Sequence, residues 1–237
     1  MDAKTFIEQS TPFLNWLWDW QRQLPTVSFD EAIPDPERTA VLSVDLIVGF
    51  AYEGILSSPR VAGIVPAAVQ LFERAKTAGV NEFVLTQDCH SDEAPEFGSF
   101  GPHCACGSKE AEMVPELASL HFSDSFTVMH KNSISSSIDT TLDAWLNAHQ
   151  QDIDTFVVVG DCTDLCTYQL AMHLRLRANA HGYAQRVIVP ADCVQTYDMP
   201  VDTAAELGIM PHDGDLMHAM FLYQMALNGI EVVSSLA

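Results

Sequence analysis

Basic residues are scarce in this chain of 237 residues. It has 11 Lys and Arg against 32 Asp and Glu, a formal net charge of −21. This imbalance argues against nucleic acid and anionic membrane surfaces as partners, because both repel a strongly acidic protein. The acidic residues are dispersed along the chain, as expected of a solvated surface.

Long apolar segments are also missing. No apolar run approaches the roughly 20 residues of a membrane-spanning helix, and the start, MDAKTFIEQS, lacks the basic and apolar regions of a secretory signal. The six cysteines do not make a disulfide framework in a chain of this length. Without a signal we expect them to be reduced, and the protein to be cytoplasmic and free of membrane.

The apolar content of 48% supports a sizeable folded core. Residues 1–38 read as an N-terminal helical extension and a Pro-containing linker, followed by a domain over 39–237. Strands are predicted at 40–44, 82–86, 125–129, 155–159, 186–190 and 230–234. Helices are predicted near 60–78, 137–149, 165–181 and 214–228. This alternation is typical of an α/β fold with a mainly parallel, six-stranded sheet between two helical layers.

The segment 156–169, FVVVGDCTDLCTYQ, places Cys166 near the start of a helix that follows a buried strand and a tight turn. A helix N-terminus favours a thiolate, and its free N–H groups can hold an oxyanion. The alternative is an ordinary helix start with a capping Thr or Asp and two small apolar cysteines.

Other chemically useful residues follow neighbouring strands of the predicted sheet, whose carboxyl ends are where ligands bind. Asp45 can take the proton of a cysteine nucleophile, and Lys131 can lower the pKa of that thiol. Cys166 would then attack a carbonyl carbon. The backbone N–H groups of Cys162 and Cys166 would hold the oxyanion, as an amidase requires.

The long connection 88–120 carries a mixed set of carboxylates and imidazoles, namely Asp88, His90, Glu96 and His103. Such ligands suit a divalent Zn, Fe or Mn ion. A structural zinc site built on Cys89, Cys104 and Cys106 is less favoured because no C-x-x-C pair is present. A polar surface loop is the remaining alternative, although the length of this connection favours a function.

Four stretches, in order along residues 39–236, resemble the isochorismatase-like cysteine hydrolases, and among them the nicotinamidases. They are VLSVDLIVGF, QDCHSDEAPEFGSFGPHCACGS, VMHKNS and VVVGDCTDLCTYQLA. The last is the most specific, since it has the family's strand, glycine, two residues, Thr-Asp, one residue and cysteine. The chain departs from the family at 46–49, which are apolar or glycine here, and in the extension 1–38.

The resemblance implies a catalytic triad of Asp45, Lys131 and Cys166 on a six-stranded parallel sheet. It also implies a cis peptide bond between Asp161 and Cys162, next to the oxyanion hole. Because oligomers are common in this superfamily, it allows a homo-oligomer as well.

For the metal loop, the resemblance implies that a metal binds the pyridine nitrogen of the substrate. Asp88, His90 and His103 match its ligands, and Glu96 matches a variable ligand position. Phe50 and Phe100 match aromatic residues that flank the ring.

We therefore expect a metal-dependent nicotinamidase that acts on a small-molecule amide through a Cys166 thioester. The alternatives are another amidase of this superfamily acting on a ureido or carbamoyl compound, or a catalytically silent binding module on the same fold. Isochorismatase action is less favoured, since it needs no thiol. A dinucleotide-binding role is disfavoured because GFAYEG lacks the spacing of a phosphate-binding turn.

Overall fold

A computed structural model describes residues 1–237, and its centre is a parallel sheet. The strands of the chain are β1 (Thr26–Val27), β2 (Thr39–Val44), β3 (Glu82–Asp88), β4 (Thr127–Lys131), β5 (Thr155–Asp161), β6 (Arg186–Pro190), β7 (Val194–Gln195), β8 (Glu231–Val233) and β9 (Ser235–Leu236). The order β4-β3-β2-β5-β6-β8 confirms the predicted six-stranded sheet, and the short β7 adds to the end of β5.

Helices cover both faces of this sheet. They are α1 (Ala3–Arg22), α2 (Phe29–Ala32), α3 (Val48–Ala51), α4 (Pro59–Ala78), α5 (Phe97–Phe100), α6 (Pro115–Ala118), α7 (Leu142–Ala148), α8 (Cys166–His181), α9 (Val201–Leu207) and α10 (Gly214–Leu227). Alternate residues of β2 face opposite layers: Val41 packs in the core that contains α4, while Ala40 and Leu42 pack in the core that contains α7, α8 and α10. The three-layer α/β/α prediction is thus confirmed.

The strands that lead to the predicted site differ slightly from the sequence prediction. Both β3 and β5 run two residues further, to Asp88 and Asp161. The strand predicted at 125–129 begins at Thr127, because 123–125 forms a 3-10 turn. Asp88 and Lys131 therefore pair with each other as the last residues of adjacent strands.

The helix predicted at 137–149 is shorter than expected and begins at Leu142. Serine side chains explain the loss of its first turns, since Ser135 Oγ accepts the backbone N–H groups of Ser137 and Ile138. Such local bonds compete with the helical backbone pattern.

Residues 1–38 pack on the rest of the chain at two places. In α1, the rings of Phe13, Trp16 and Trp20 contact Tyr223 of α10 at centroid distances of 5.5–5.9 Å. Farther along, β1 pairs in parallel with β9 at the C-terminus. None of the helices has both the length and the hydropathy needed to cross a bilayer.

Candidate active site

The turn between β5 and α8 places Cys166 at the first residue of the helix. The close approach of β5 to β2 before this turn depends on Gly160, which has φ of +119°. A Cβ there would lie 1.9 Å from the carbonyl oxygen of Val44 on β2. Only glycine allows the two strands to come this close. No Thr or Asp side chain caps the helix, so the ordinary capped start considered from the sequence is absent.

Asp45, Lys131 and Cys166 meet in a buried cluster. Lys131 Nζ lies 2.8 Å from Asp45 Oδ2 and 3.6 Å from Cys166 Sγ. It also lies 2.5 Å from Asp88 Oδ1. Asp88 adds a further contact, because its backbone N–H donates to Asp45 Oδ1 at 2.8 Å. One lysine therefore pairs with two buried carboxyl groups beside the thiol.

Burial dominates the electrostatics of this cluster. Burial, followed by the nearby Asp88 charge, raises the pKa of Asp45 to about 7 despite its contact with Lys131. Burial also raises the pKa of the Cys166 thiol well above its usual value; Lys131 lowers it, but Asp45 and Asp88 act in the opposite direction. The predicted lowering by Lys131 is therefore present, but burial and the two carboxylates outweigh it and the net pKa of the thiol is raised. Cys166 starts as a thiol beside a base.

Two backbone N–H groups are available next to the thiol. The amides of Cys162 and Cys166 donate no hydrogen bond within the chain, whereas those of Leu165 and Thr167 both donate to the Cys162 carbonyl. The peptide bond between Asp161 and Cys162 is cis, as the resemblance implied. Two free N–H groups of this kind can donate hydrogen bonds to an oxyanion.

Asp88, His90 and His103 form a second buried cluster, with one ligand atom from each lying within 4.8 Å of the others. His90 Nδ1 lies 3.2 Å from Asn132 Oδ1, and His103 Nδ1 lies 2.8 Å from the carbonyl oxygen of Gly101. The other nitrogen of each ring is left for a ligand, the usual arrangement in metal-binding histidines.

The polar atoms of this second cluster fit a divalent metal. Asp88 Oδ2 and His90 Nε2 are buried, lie 3.4 Å apart and have no hydrogen-bond partner. Carboxylate oxygen and imidazole nitrogen are ligands that zinc, iron and manganese accept. Glu96 lies on the wall of the adjoining pocket, outside this three-residue cluster.

The loop that holds these ligands folds back on itself. The N–H of His90 donates to the carbonyl of Cys104, and the N–H of Cys106 donates to the carbonyl of His90. This pairing brings Cys89 and Cys106 to a Cα separation of 4.4 Å, where they form a disulfide. The prediction that all six cysteines are reduced is therefore wrong, and the thiolate zinc site considered from the sequence is excluded because two of its ligands bond each other.

A mainly apolar pocket adjoins both clusters, which share Asp88. Phe50 and Phe100 line it, and both contact the ring of His103. Tyr197, which follows β6 and was considered for the pocket from the sequence, lines it, whereas Cys193, considered with it, does not. The sequence assigned no site role to several further lining residues, which are Leu56, Ile134, Asp161 and Leu165. Most are apolar residues of loops without a recognisable spacing, but Asp161 was visible as an acid at a strand end.

Comparison with known proteins agrees with this geometry. Residues 39–235 match the family model described as the isochorismatase domain. Nicotinamidase 1 of Arabidopsis thaliana is 31% identical over 159 residues, which are 63% of this chain and 64% of that protein. The chain thus matches somewhat less than two thirds of the length of this relative.

Solved structures share the fold at lower identity. Nicotinamidase from Bacillus subtilis is 20% identical with a TM-score of 0.66, over 83% of this chain and 99% of its own. N-carbamoylsarcosine amidase from Thermoplasma acidophilum is 24% identical with a TM-score of 0.62, over 83% and 95%. Pyrazinamidase of Pyrococcus horikoshii, solved in complex with zinc, is 20% identical with a TM-score of 0.63, over 83% and 98%. Since the family model covers every strand from β2 to β8, this protein belongs to the isochorismatase family.

Proposed function

We propose that the protein is a metal-dependent nicotinamidase, which hydrolyses nicotinamide to nicotinate and ammonia. The observation that carries this proposal is the shared pocket. Its lining includes Cys166 with its base Asp45, and Asp88 and His103 of the second cluster, together with the rings of Phe50 and Phe100. Nicotinamide is a flat ring that carries an amide for attack by Cys166 and a ring nitrogen for a metal held by the second cluster.

In the proposed reaction, Cys166 Sγ attacks the amide carbon while Asp45 takes the thiol proton. The N–H groups of Cys162 and Cys166 stabilise the oxyanion. As the C–N bond breaks, Asp45 gives the proton to the leaving nitrogen and ammonia departs. Water then attacks the thioester, and its proton passes through Asp45 to the Cys166 sulfur as the acid is released. Lys131 holds Asp45 in place throughout.

Asp88, His90 and His103 would hold the metal, with Glu96 close enough on the pocket wall to assist. When bound, a divalent ion supplies Lewis-acid coordination for a ring nitrogen or its water. Phe50 and Phe100 would orient the ring by contact with its faces or edges. Asn132 and the Gly101 carbonyl fix the orientation of the two imidazoles.

A ureido substrate is the alternative, favoured by the structural likeness to N-carbamoylsarcosine amidase. N-carbamoylsarcosine carries a carboxylate. No Arg or Lys lines the pocket, whereas four acidic side chains do: Asp45, Asp88, Glu96 and Asp161. A substrate carboxylate would therefore meet acidic side chains and no arginine or lysine, which favours the neutral nicotinamide.

The test is ammonia release from nicotinamide and from N-carbamoylsarcosine, by zinc-loaded protein and after treatment with a chelator. We expect release from nicotinamide that the chelator removes. Cys166→Ala should abolish it, while Cys193→Ala, which removes another buried thiol outside the pocket, should retain it. Ammonia release from N-carbamoylsarcosine alone would replace the proposal by the alternative. Unchanged ammonia release in Cys166→Ala would show that Cys166 is not the nucleophile and would favour the catalytically silent binding module.

We further propose a cytoplasmic location, with a small-molecule amide as the partner and no role for nucleic acid or membrane. The division into an extension over 1–38 and a hydrolase domain over 39–237 also stays a proposal. A homo-oligomer is supported by exposed aromatic side chains on α1, since Phe6, Trp16 and Trp18 are about half exposed.

A further inference from the structure

Asp161 is a buried acid that the proposed mechanism does not use. It is the last residue of β5, directly before Cys162, whose N–H group faces the expected oxyanion. The residue is among those that line the pocket, and it is only 1% exposed. Asp161 therefore stands beside the carbonyl of any amide that Cys166 attacks.

The carboxyl group of Asp161 lacks a partner within the chain. Its Oδ1 is buried without any hydrogen bond, and its Oδ2 has only the Cys162 thiol, at 3.9 Å. By contrast, Asp164 in the same turn has a structural role, since its Oδ2 lies 2.7 Å from His212 Nε2. A buried polar atom without a partner is costly, which points to a partner that arrives with the ligand.

The other two carboxylates near the thiol are already engaged. Asp45 and Asp88 both contact Lys131 Nζ. Asp161 makes no ion pair, so its Oδ1 is an acceptor without a partner, whereas the unpartnered Asp88 Oδ2 belongs to the cluster with His90 and His103. The N–H groups of Cys162 and Cys166 would donate to the carbonyl oxygen of a substrate amide. The amide nitrogen is bonded to the same carbon as that oxygen, so it would lie within reach of Asp161 at the end of β5.

We propose that Asp161 Oδ1 accepts a hydrogen bond from the N–H of the substrate's carboxamide, and so forms a subsite that selects amides over esters. The inference rests on the proposed amide hydrolysis and names a specificity residue within it. The acceptor role holds for either protonation state, because a carboxylate and a carboxylic acid both present an accepting oxygen.

The test compares nicotinamide with methyl nicotinate, which has the same ring and carbonyl but no N–H. Asp161→Leu is close in size and removes the acceptor. We expect it to lower the amide-to-ester ratio of kcat/KM by at least about tenfold, since a site built to bond a polar group discriminates strongly when that bond is lost. Asp161→Asn keeps an accepting oxygen and should recover most of the ratio.

Ile134→Val is the matched control, because it changes the shape of the pocket without removing a polar atom. This variant should change kcat/KM for nicotinamide and for methyl nicotinate by the same factor. If Asp161→Leu leaves the amide-to-ester ratio of kcat/KM unchanged, the inference is overturned. An equal fall of kcat/KM for both substrates would then mean that Asp161 only shapes the turn.

Binding to the Cys166→Ala variant separates this inference from the proposed function. Calorimetry with nicotinamide and methyl nicotinate, with and without Asp161→Leu, reports the contact without turnover. If the wild type hydrolyses no nicotinamide but Asp161→Leu weakens nicotinamide binding selectively, the proposed function fails and the inference stands. If nicotinamide is hydrolysed but Asp161→Leu leaves its binding unchanged relative to the ester, the inference fails and the function stands.

Discussion

Lys131 shows how single residues set the chemistry of this site. Its buried ammonium contacts Asp45 and Asp88. Burial lowers the pKa of Lys131, but its acidic neighbours, Asp45 first and Asp88 among them, outweigh burial and hold that pKa well above its usual value. The lysine thus stays charged and serves as a counterion, while the pKa of about 7 suits Asp45 to proton transfer near neutral pH. This favours a thiol activated during attack over a resting thiolate.

His218 makes a residue-scale prediction about stability. Burial, followed by the charge of Arg60, lowers its pKa to about 4, and its Nδ1 lies 2.9 Å from Thr163 Oγ1 in the oxyanion turn. Because the folded-state pKa lies below the unfolded value, the stability from neutral His218 is present above about pH 6.5 and is lost as pH falls towards 4. Relative to His218→Gln, the wild type should lose about 2 kcal/mol between about pH 8 and pH 5.

Urea unfolding of both proteins at each pH measures this difference. The matched control is His121→Gln, which replaces an exposed histidine and should follow the wild type. A difference between the wild type and His218→Gln that does not change with pH would show that His218 is not held neutral by the fold.

At the scale of elements, the strands and their order could be predicted because buried parallel strands are short apolar runs that end in polar residues. This pattern located Asp45, Asp88, Lys131 and Cys166 in advance. The shortened α7 was not predicted, because the bonding of Ser135 to the backbone depends on local geometry. Asp161 was missed as a pocket residue since a strand-end acid alone does not show whether it has a partner.

The folding of the metal loop could not be read from its sequence either. The disulfide between Cys89 and Cys106 depends on the return of the chain beside His90, a contact across 17 residues. This element makes its own prediction. Opening the disulfide frees the segment between Asp88 and His103, so zinc should bind about tenfold more weakly, the size of effect that follows loss of outer support around metal ligands.

Competition with a chelating dye, with and without a thiol-free reductant, measures that change in zinc affinity. The double variant Cys89→Ser/Cys106→Ser is the control: it should bind zinc like the reduced wild type and should not respond to reductant. Equal zinc affinity of the oxidised and reduced wild type would contradict a supporting role of the disulfide.

Across the whole molecule, a few acidic side chains are buried at the candidate site and the others lie at the surface. The buried acidic side chains are Asp45, Asp88, Asp161 and Asp164, and all of them lie at the carboxyl ends of strands or in the turn that follows β5. The other acidic side chains are at least partly exposed, so most of the net charge of −21 lies where salt can screen it. Self-repulsion of this surface opposes the compact state.

Salt should therefore stabilise the whole molecule. Raising NaCl from about 0.02 M to about 0.5 M should raise Tm by about 3 °C, the shift that about 1 kcal/mol gives in a chain of this length. Calorimetry at neutral pH measures the shift, and KCl at the same ionic strength is the control, because screening depends on ionic strength rather than on the cation. A Tm that falls with salt would mean that ion pairs such as Arg38 with Asp154 and Arg186 with Glu231 outweigh the repulsion. Their exposure to solvent argues against that outcome, since exposed pairs contribute little even in low salt.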